Sequence, residues 1–376
     1  MPSIAFSLTA HTPLIHFEDH VEATLRGSEL KPKFDKFLIQ KGYGDLAKET
    51  ESGKRFFDYR VTIKAKNRPT KTMIEQNNRN IPLFFGNMGD EYKKHPKYFV
   101  SSDVEVKFFS WNRILIGLIK AEFPKFLAST NFGTRSSKGY GSFFIKERSF
   151  DPNIVEADHI YKIQIDAKKH PNELKELDIF YKFLRSGFNF ENKEGKIYAK
   201  PAIFAYAKRK HMTWDKRAIK RRCFADHLQK QSEAHPNSDA LKEWGDEYII
   251  RDLLGLSTEQ EWKSYGAKVK KEHPQIKRFK SPIIFKPIKN GNNKYDVYFW
   301  VEKRSEERLE EFLDETFTIK AGNCNFDLPT PPEFDMENFL AYLLKIDPRN
   351  LIPYQYQKHS TAKTIKKIFK TLQRLR

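Results

Sequence analysis

The residues best suited to binding an anion lie between Phe132 and Phe143, in the segment FGTRSSKGYGSF, which we call the glycine loop. Its glycines let the backbone turn sharply and approach a ligand, and exposed N–H groups of such turns form anion-binding concavities. Arg135 and Lys138 add charge for phosphates, and Tyr140 can stack on a base. Lys138 is followed by glycine, so this is not a Walker A loop. A tight turn with surface cations fits the spacing equally well.

A second basic segment, residues 208–222 (KRKHMTWDKRAIKRR), holds eight Lys or Arg and one Asp, with Trp214 among them. Each phosphate that such a run neutralises releases counterions, which gives salt-sensitive affinity for nucleic acid. A solvated face of an insertion is the alternative, and we favour contact with RNA. The cations predicted to take part are Lys208, Arg209, Lys210, Arg217, Arg221 and Arg222.

Candidates for catalysis and metal binding are few. His11, His16 and His20 cluster near the N-terminus, and a histidine can act as general base towards a ribose 2′-OH. No nucleophile is apparent beside them, so we predict no catalytic residue. Cys223 and Cys324 stand about a hundred residues apart, which excludes a disulfide framework and a Cys-rich zinc site and is typical of a reducing compartment. We expect no metal and no other cofactor.

Charge indicates the class of partner. The 376-residue chain has 68 Lys and Arg against 49 Asp and Glu, a net charge of +19, which favours a polyanion such as nucleic acid. The hydrophobic content of 39% indicates a folded protein. The N-terminal residues lack the pattern of a secretory signal, and no stretch approaches roughly eighteen consecutive apolar residues. We therefore expect a cytoplasmic protein without a membrane partner.

The periodicity of apolar residues predicts the elements that position these side chains. In the first part of the chain, the predicted order is strand, helix, strand, strand, helix and strand, which is that of a split βαβ, or ferredoxin-like, unit. Its first five elements are residues 3–8, 21–41, 56–65, 98–109 and 111–128. Pro32 is expected in the first turn of its helix, where a missing N–H is tolerated. The second helix is predicted to bury one stripe, formed by Trp111, Ile114, Leu115, Leu118 and Ile119.

The second part begins a new alternating strand at residues 159–166, and residues 281–289 and 294–302 are predicted to form a hairpin. We predict an α+β fold with two ferredoxin-like (RRM-like) domains, residues 1–150 and 151–350, the second with helical insertions. Residues 351–376 are predicted to form a basic amphipathic C-terminal helix. Such a helix can pack on its own domain, a neighbouring subunit, RNA or a membrane surface. We favour packing on its own domain with the cations facing RNA.

The glycine loop resembles that of the RAMP superfamily, the repeat-associated proteins of type III CRISPR effector complexes, in which a helix, a Phe-Gly…Lys/Arg-Gly-Phe/Tyr-Gly segment and a strand follow one another. SIAFSL, HTPLIHF and the basic segment ATLRGSELKPKFDKFL resemble the family's opening, and LFFG at 83–86 resembles a later segment. LLGL at 253–256 and KRFKSPIIFKPI at 277–288 resemble the second half of Cmr-type subunits. The chain is most similar to the two-domain RAMP subunit named first in the Cmr (type III-B) complex.

The resemblance implies a non-catalytic subunit for antiviral defence that caps one end of a filament on guide RNA (crRNA). Such a subunit engages the 3′ region of the guide and the target RNA paired there, beside the other Cmr-complex subunits, which cleave the target. The implied RNA contacts lie on the first helix and on the glycine loop. They are Arg26, Lys31, Lys33, Lys36, Gly133, Arg135, Lys138, Gly139, Tyr140 and Gly141.

Two alternatives remain open. A metal-independent RAMP endoribonuclease that matures guide RNA would need His11, His16 or His20 next to the glycine loop in space. A generic RNA-binding protein, such as a ribosome-associated factor, would have no CRISPR partners.

Overall fold

Two four-stranded antiparallel sheets, one in each half of the chain, have the same strand arrangement and organise the fold, and a third four-stranded antiparallel sheet lies in the insertions of the second half. The computed structural model describes residues 2–16, 24–73, 98–168, 172–192, 195–226, 245–262, 265–291 and 293–376. The elements of the first half are β1 (Ser3–Ala10), β2 (Leu14–His16), α1 (Gly27–Gln40), β3 (Lys48–Glu49), β4 (Arg55–Phe56), β5 (Arg60–Ala65), β6 (Thr70–Met73), β7 (Tyr98–Ser101), β8 (Val104–Phe109), α2 (Arg113–Ser129) and β9 (Phe143–Ile145).

The first sheet has the strand order β5-β8-β1-β9, and β1 pairs antiparallel with both β8 and β9. Alternate residues of β8 are buried, as expected for a strand with one face on the core. Helices α1 and α2 cover that face, where the ring of Phe34 packs against those of Phe108 and Phe123 at 5.9 and 5.4 Å between centroids. Along the chain the four strands of this sheet and the two helices follow one another as β1, α1, β5, β8, α2 and β9, with the short strands β2, β3, β4, β6 and β7 between them.

Several local predictions for the first half were wrong. Residues 98–109 form two strands in different sheets, because Ser102 and Asp103 interrupt the ladder. Pro32 lies beyond the first turn, since α1 begins at Gly27. Trp111 and Ile114 do not belong to a buried stripe, because their side chains are 72% and 69% exposed.

The second half contains a larger set of elements. They are β10 (Tyr161–Asp166), α3 (Lys175–Arg185), β11 (Phe188–Asn192), β12 (Gly195–Ala199), α4 (Ala202–Arg209), β13 (Thr213–Trp214), α5 (Asp215–Cys223), β14 (Glu247–Tyr248), β15 (Glu259–Trp262), β16 (Ala267–Glu272), β17 (Ile283–Lys289), β18 (Lys294–Val301), α6 (Lys303–Glu310), β19 (Thr316–Ala321), β20 (Cys324–Pro329), α7 (Met336–Leu343), α8 (Ser360–Thr371) and β21 (Gln373–Arg374). The α+β fold class is thereby confirmed.

The second sheet has the order β17-β18-β10-β21, which repeats the arrangement of the first sheet. The predicted hairpin of β17 and β18 is confirmed. Helix α8 packs on α3 and β10, and β21 pairs with β10. The C-terminal residues are therefore the last helix and strand of this second unit rather than an appended segment. The insertions lie between α3 and β17 and between β18 and α8.

Strands β17 and β18 are buried on both faces. Ile283 and Phe285 belong to the core of the second half, whereas Ile284, Tyr298 and Trp300 join the core of the first half. The second sheet thus lies between its own helices and the first unit, which explains why KYDVYFWV reads as a nearly continuous apolar run.

The insertions carry a covalent link and a buried ion cluster. Cys223 at the end of α5 and Cys324 at the start of β20 form a disulfide, although the scarcity of cysteines suggested a reducing compartment. Lys271 on β16 is fully buried, and its Nζ bonds the carboxylates of Asp215 at 2.5 Å and Asp252 at 2.7 Å. None of the described helices is both long and apolar enough to cross a bilayer.

Candidate nucleic-acid interface

The glycine loop leaves the end of α2 and turns back towards β9 through left-handed backbone. The φ angles of Gly133, Gly139 and Gly141 are 73°, 89° and 67°, and Arg135 adopts 62° although it has a Cβ. Residues 136–138 form a short 3₁₀ turn between them. A side chain at Gly141 would collide with the carbonyl oxygen of Phe132. The glycines are therefore needed for the shape of the loop.

Hydrogen bonds join this loop to β17 of the second half. Asn131 Nδ2 donates to the carbonyl of Phe285 at 2.8 Å, and Ser142 Oγ donates to that of Pro287 at 2.8 Å. The fully buried Lys286 donates from Nζ to the carbonyls of Thr130 and Phe143 at 2.9 and 3.0 Å. Burial holds the pKa of Lys286 well below its ordinary value. Much of the loop therefore connects the two units.

This connection decides which predicted loop residues are accessible. The ring of Tyr140 is 2% exposed and stacks on Phe99 at 5.8 Å between centroids, so in this conformation no base can stack on it. A Cβ on Gly139 would lie 2.7 Å from Pro287 Cγ. Lys138 is 8% exposed. Thr134, Arg135 and Ser136 are only half-buried and form the outer surface of the loop, whereas Ser137 is buried.

A basic groove lies between the glycine loop, α1 and the start of α6, and we call it the α1 groove. Its volume is about 460 Å³. Six cations and three carboxylates line it, with Ser136 and Ser137 of the loop. The cations are Lys33, Lys36, Lys41, Lys280, Lys303 and Arg308, and the carboxylates are Glu156, Glu302 and Glu307. The excess of positive charge and the half-buried Phe37 ring suit a phosphate backbone with stacked bases.

The predicted cations of α1 lie on two faces of the helix. Lys33 and Lys36 face the α1 groove, and Lys33 Nζ also bonds Glu29 at 2.6 Å and the Asn131 carbonyl at 3.2 Å. Lys31 packs elsewhere, with Nζ 3.0 Å from Asp35, 2.7 Å from the Phe57 carbonyl and 3.8 Å from the centre of the Tyr59 ring. Arg26 is half-buried and immediately precedes the helix. The structure thus brings two of these four cations to the glycine loop.

The 208–222 segment does not line the α1 groove. Lys208, Arg209 and Lys210 are exposed at the end of α4. Arg217 is 6% exposed and lies 4.9 Å from the centre of the Trp214 ring. Arg221 and Arg222 bond the carboxylate of Glu247 at 3.2 and 2.6 Å. Half of this predicted RNA-binding run is therefore engaged within the protein.

A larger cavity in the second half has the wrong charge for RNA. It measures about 1130 Å³ and contains Lys210, His159 and His211, but six carboxylates also line it. These belong to Asp158, Asp246, Glu310, Glu333, Asp335 and Glu337. A polyanion would be repelled there.

His11 is the one predicted histidine whose side chain the structure describes. Its backbone N–H donates to the Ser142 carbonyl at 2.8 Å, so it lies beside the glycine loop as the nuclease alternative requires. However, Nδ1 accepts the N–H of Lys289 at 2.9 Å, and burial, with Lys286 and Lys289 nearby, lowers its pKa to about 3. Such a group is a weak general base at neutral pH. His20 and the LFFG segment lie outside the described residues.

Metal binding finds no support within the described ranges, which contain no group of three or more His, Cys, Asp or Glu placed to hold an ion.

The sequence did not predict four of the cations that line the α1 groove, namely Lys41, Lys280, Lys303 and Arg308. Only Lys280 carried a signal, since it lies in the KRFKSPIIFKPI segment. The others reach the groove through the packing of the two halves.

Two family models match the chain, the Cmr1 N-terminal domain over residues 1–188 and the Cmr1 C-terminal domain over residues 198–370. Among solved structures, the chain is similar to Cmr1 from Pyrococcus furiosus in its apo form, with 12% sequence identity and a TM-score of 0.35, over 81% of this chain and 89% of that one. No curated protein matches the sequence.

Proposed function

The chain belongs to the Cmr1 family, and from this premise we propose that it is a non-catalytic, RNA-binding subunit of a type III-B CRISPR ribonucleoprotein. Membership in the family makes it a RAMP protein and a subunit of the Cmr complex. The proposal adds that it caps the filament, contacts the 3′ region of the guide RNA and the target RNA paired there, and leaves cleavage to other subunits.

The observation that carries the proposal is the α1 groove. Six cations converge on it from α1 and its C-cap, from the segment before β17 and from both ends of α6, against three carboxylates. Two of those carboxylates already pair with groove lysines, Glu156 with Lys41 and Glu302 with Lys280 at 3.7 Å. Cations gathered from three separate segments give a positive surface along which a phosphate backbone can lie.

The geometry of His11, which lies beside the glycine loop, supports a non-catalytic role. A metal-independent ribonuclease needs a base that can take the 2′-OH proton near pH 7. His11 already accepts a backbone hydrogen bond through Nδ1, and its pKa of about 3 opposes proton uptake. Membership in the Cmr1 family argues against a generic RNA-binding protein outside CRISPR systems.

Binding of labelled single-stranded guide RNA by the purified protein at several salt concentrations tests the proposal. We expect salt-dependent binding and intact RNA in EDTA. Replacing both Lys36 and Lys303 by Gln should weaken binding about tenfold and lower the slope of log affinity against log salt by about 2. Both side chains are exposed, and the ion pair that Lys303 forms with Asp158 at 3.5 Å is exposed as well.

The double variant Lys107→Gln and Lys120→Gln is the matched control, because it removes the same two charges from exposed lysines that do not line the groove. Equal losses in the control and the groove variant would show that only net charge matters and would refute the groove as the RNA site. Specific cutting that His11→Ala abolishes would refute the non-catalytic role.

A further inference from the structure

A second cavity, which we call the loop cavity, lies against the opposite side of the glycine loop. Its volume is about 320 Å³, and its walls are the loop, the end of α3 and the segments 254–257 and 279–281. Ser137 and Lys280 line both this cavity and the α1 groove, so the two are neighbours. The loop cavity holds five cations and one carboxylate, that of Asp178. The cations are Arg135, Lys138, Lys182, Arg185 and Lys280.

Lys138 is the unusual member of this group. Its side chain is buried, yet Nζ has no hydrogen-bond partner among the residues that the structure describes. The nearest feature is the ring of Tyr181, whose centre lies 3.3 Å from Nζ. Burial, together with the charges of Arg185, Arg135 and Lys280, holds the pKa of Lys138 well below its ordinary value. A buried amine without hydrogen bonds destabilises the protein unless a ligand binds it.

The surroundings of Lys138 add positive charge and little to neutralise it. Arg135 is held in left-handed backbone at φ 62°, an unfavourable conformation for a residue with a Cβ. Arg185 is fixed by the Gly255 carbonyl at 2.6 Å and by Asp252 at 3.4 Å. Asp178 already pairs with Lys182 at 2.7 Å. The cavity is thus built of fixed cations whose charge a small anion can match.

We propose that the loop cavity binds one phosphate monoester, carried by the end of an RNA strand or by a free mononucleotide. Lys138, Arg135 and Arg185 hold the phosphate, and the hydroxyls of Ser257 and Ser281 line the remaining wall. A monoester can enter from one side, whereas a diester within a strand must bring two chain continuations past the loop. A phosphate monoester also carries more negative charge than a diester. For an RNA end, the inference rests on the proposed function, because the strand reaches the cavity from the α1 groove.

The test uses fluorescence anisotropy with short single-stranded RNAs of one sequence that end in a 3′-phosphate, a 5′-phosphate or hydroxyls only. A terminal phosphate should raise affinity about tenfold at one of the two ends. Lys138→Met should abolish that gain and leave the affinity for the hydroxyl-ended RNA unchanged. Lys120→Met, which removes an exposed lysine outside both cavities, should retain the gain. Thermal denaturation confirms that each variant is folded.

Calorimetric titration with AMP and with inorganic phosphate tests the second source. Binding of AMP that Lys138→Met eliminates, without any gain from an RNA end, assigns the cavity to a free mononucleotide. If all RNAs bind equally well and neither AMP nor phosphate binds, the inference is wrong and the proposed function stands. If no RNA binds but AMP does, the proposed function fails and the phosphate site remains.

Discussion

Gly139 connects the two halves through a contact that only a residue without a side chain allows. Its φ is 89°, and an added Cβ would lie 2.7 Å from Pro287 Cγ and 3.1 Å from Leu177 Cδ2. Gly42 has nearly the same φ, 84°, with nothing within 4 Å of the added Cβ. A side chain added at Gly42 therefore causes backbone strain alone, whereas one added at Gly139 causes the same strain and a steric clash as well.

We predict that Gly42→Ala lowers the free energy of unfolding by about 1 kcal/mol, the cost of a left-handed backbone with a Cβ. Gly139→Ala should lower it by a further 1–3 kcal/mol or so, because the methyl group also forces Pro287 away. Urea denaturation monitored by fluorescence measures both values. Equal losses in the two variants would show that the contact between Gly139 and β17 contributes nothing.

The buried amine of Lys138 makes stability depend on pH. In the folded protein its pKa lies well below the ordinary value of 10.5 that the unfolded chain restores. Between those two values the unfolded state binds more protons, so the free energy of unfolding rises as the pH rises towards 10.5. We predict that melting temperature increases from about pH 7 to about pH 9.5.

Lys138→Met should show a smaller increase over the same range, because Lys286 and Lys216, whose pKa values burial also lowers, still contribute. Differential scanning calorimetry of both proteins in matched buffers measures the difference. Identical pH profiles would mean that Lys138 is solvated in the folded protein.

Residue type alone identified Arg135 and Lys138 as phosphate-binding candidates. It could not reveal that Lys138 and Tyr140 are buried, because Lys138 packs against Tyr181 of α3 and Tyr140 against Phe99 of β7 rather than against neighbours in sequence. A glycine loop that binds an anion and one that packs against another unit require the same residues. Sequence therefore left both interpretations open, and the structure combines them, with the outer residues accessible and the inner ones packed.

At the scale of elements, the two faces of α1 have different roles. One face lines the α1 groove, and the other makes contacts that stabilise the fold. Lys31→Gln should lower the free energy of unfolding by about 1 kcal/mol, because its bonds to Asp35 and the Phe57 carbonyl are lost. The affinity of the Lys31→Gln variant for RNA should remain within a factor of about two of that of the unaltered protein. Lys36→Gln should leave the free energy of unfolding unchanged and weaken RNA binding about threefold.

Urea denaturation and anisotropy on the same preparations check this pair of variants, which carry the same change of charge on one helix. If Lys31→Gln weakens RNA binding as much as Lys36→Gln, the bound RNA is not confined to the α1 groove.

The periodicity of apolar residues predicted the presence of a helix or strand more reliably than it predicted the residue at which that element begins. Helix α2 was predicted with Trp111 and Ile114 on its buried face, yet it begins at Arg113. The side chain of Asn112 accepts the N–H groups of Ile114 and Leu115 and so sets the start. The buried stripe begins at Leu115 and continues through Ile119 and Phe123. An N-cap residue inside an apolar stretch was the signal that the periodicity count overlooked.

At the scale of the whole molecule, the second unit is closed by residues that are far apart in sequence. Strand β10 at Tyr161–Asp166 pairs with β21 at Gln373–Arg374. The intervening insertions hide this pairing from any local pattern, which is why the sequence predicted an amphipathic helix that packs on its own domain but not the strand that follows it. The hairpin of β17 and β18 was predictable because only a short turn joins its strands. Contacts between the halves, and hence the α1 groove, have no local signature at all.

The two units share their cores and should unfold together. Ile284, Tyr298 and Trp300 of the second sheet lie in the core of the first unit, while Ile15 and Tyr140 of the first half lie in the core of the second. The buried Lys286 and Asn131 add hydrogen bonds across the junction. Separating the halves would expose this apolar surface and leave those groups unpaired. We therefore predict one cooperative transition, with calorimetric and van't Hoff enthalpies that agree.

The combination of Asn131→Ala and Lys286→Met weakens the junction without changing the core of either unit. It should lower the melting temperature and broaden the transition, because the first unit loses the support of β17 before the second unit melts. Calorimetry measures the enthalpy ratio, and fluorescence follows Trp300, which is buried in the core of the first unit, and Trp214, which is buried in the core of the second. Two separate transitions in the unaltered protein would show that the units are independent. The groove between them would then be a variable opening rather than a fixed RNA site.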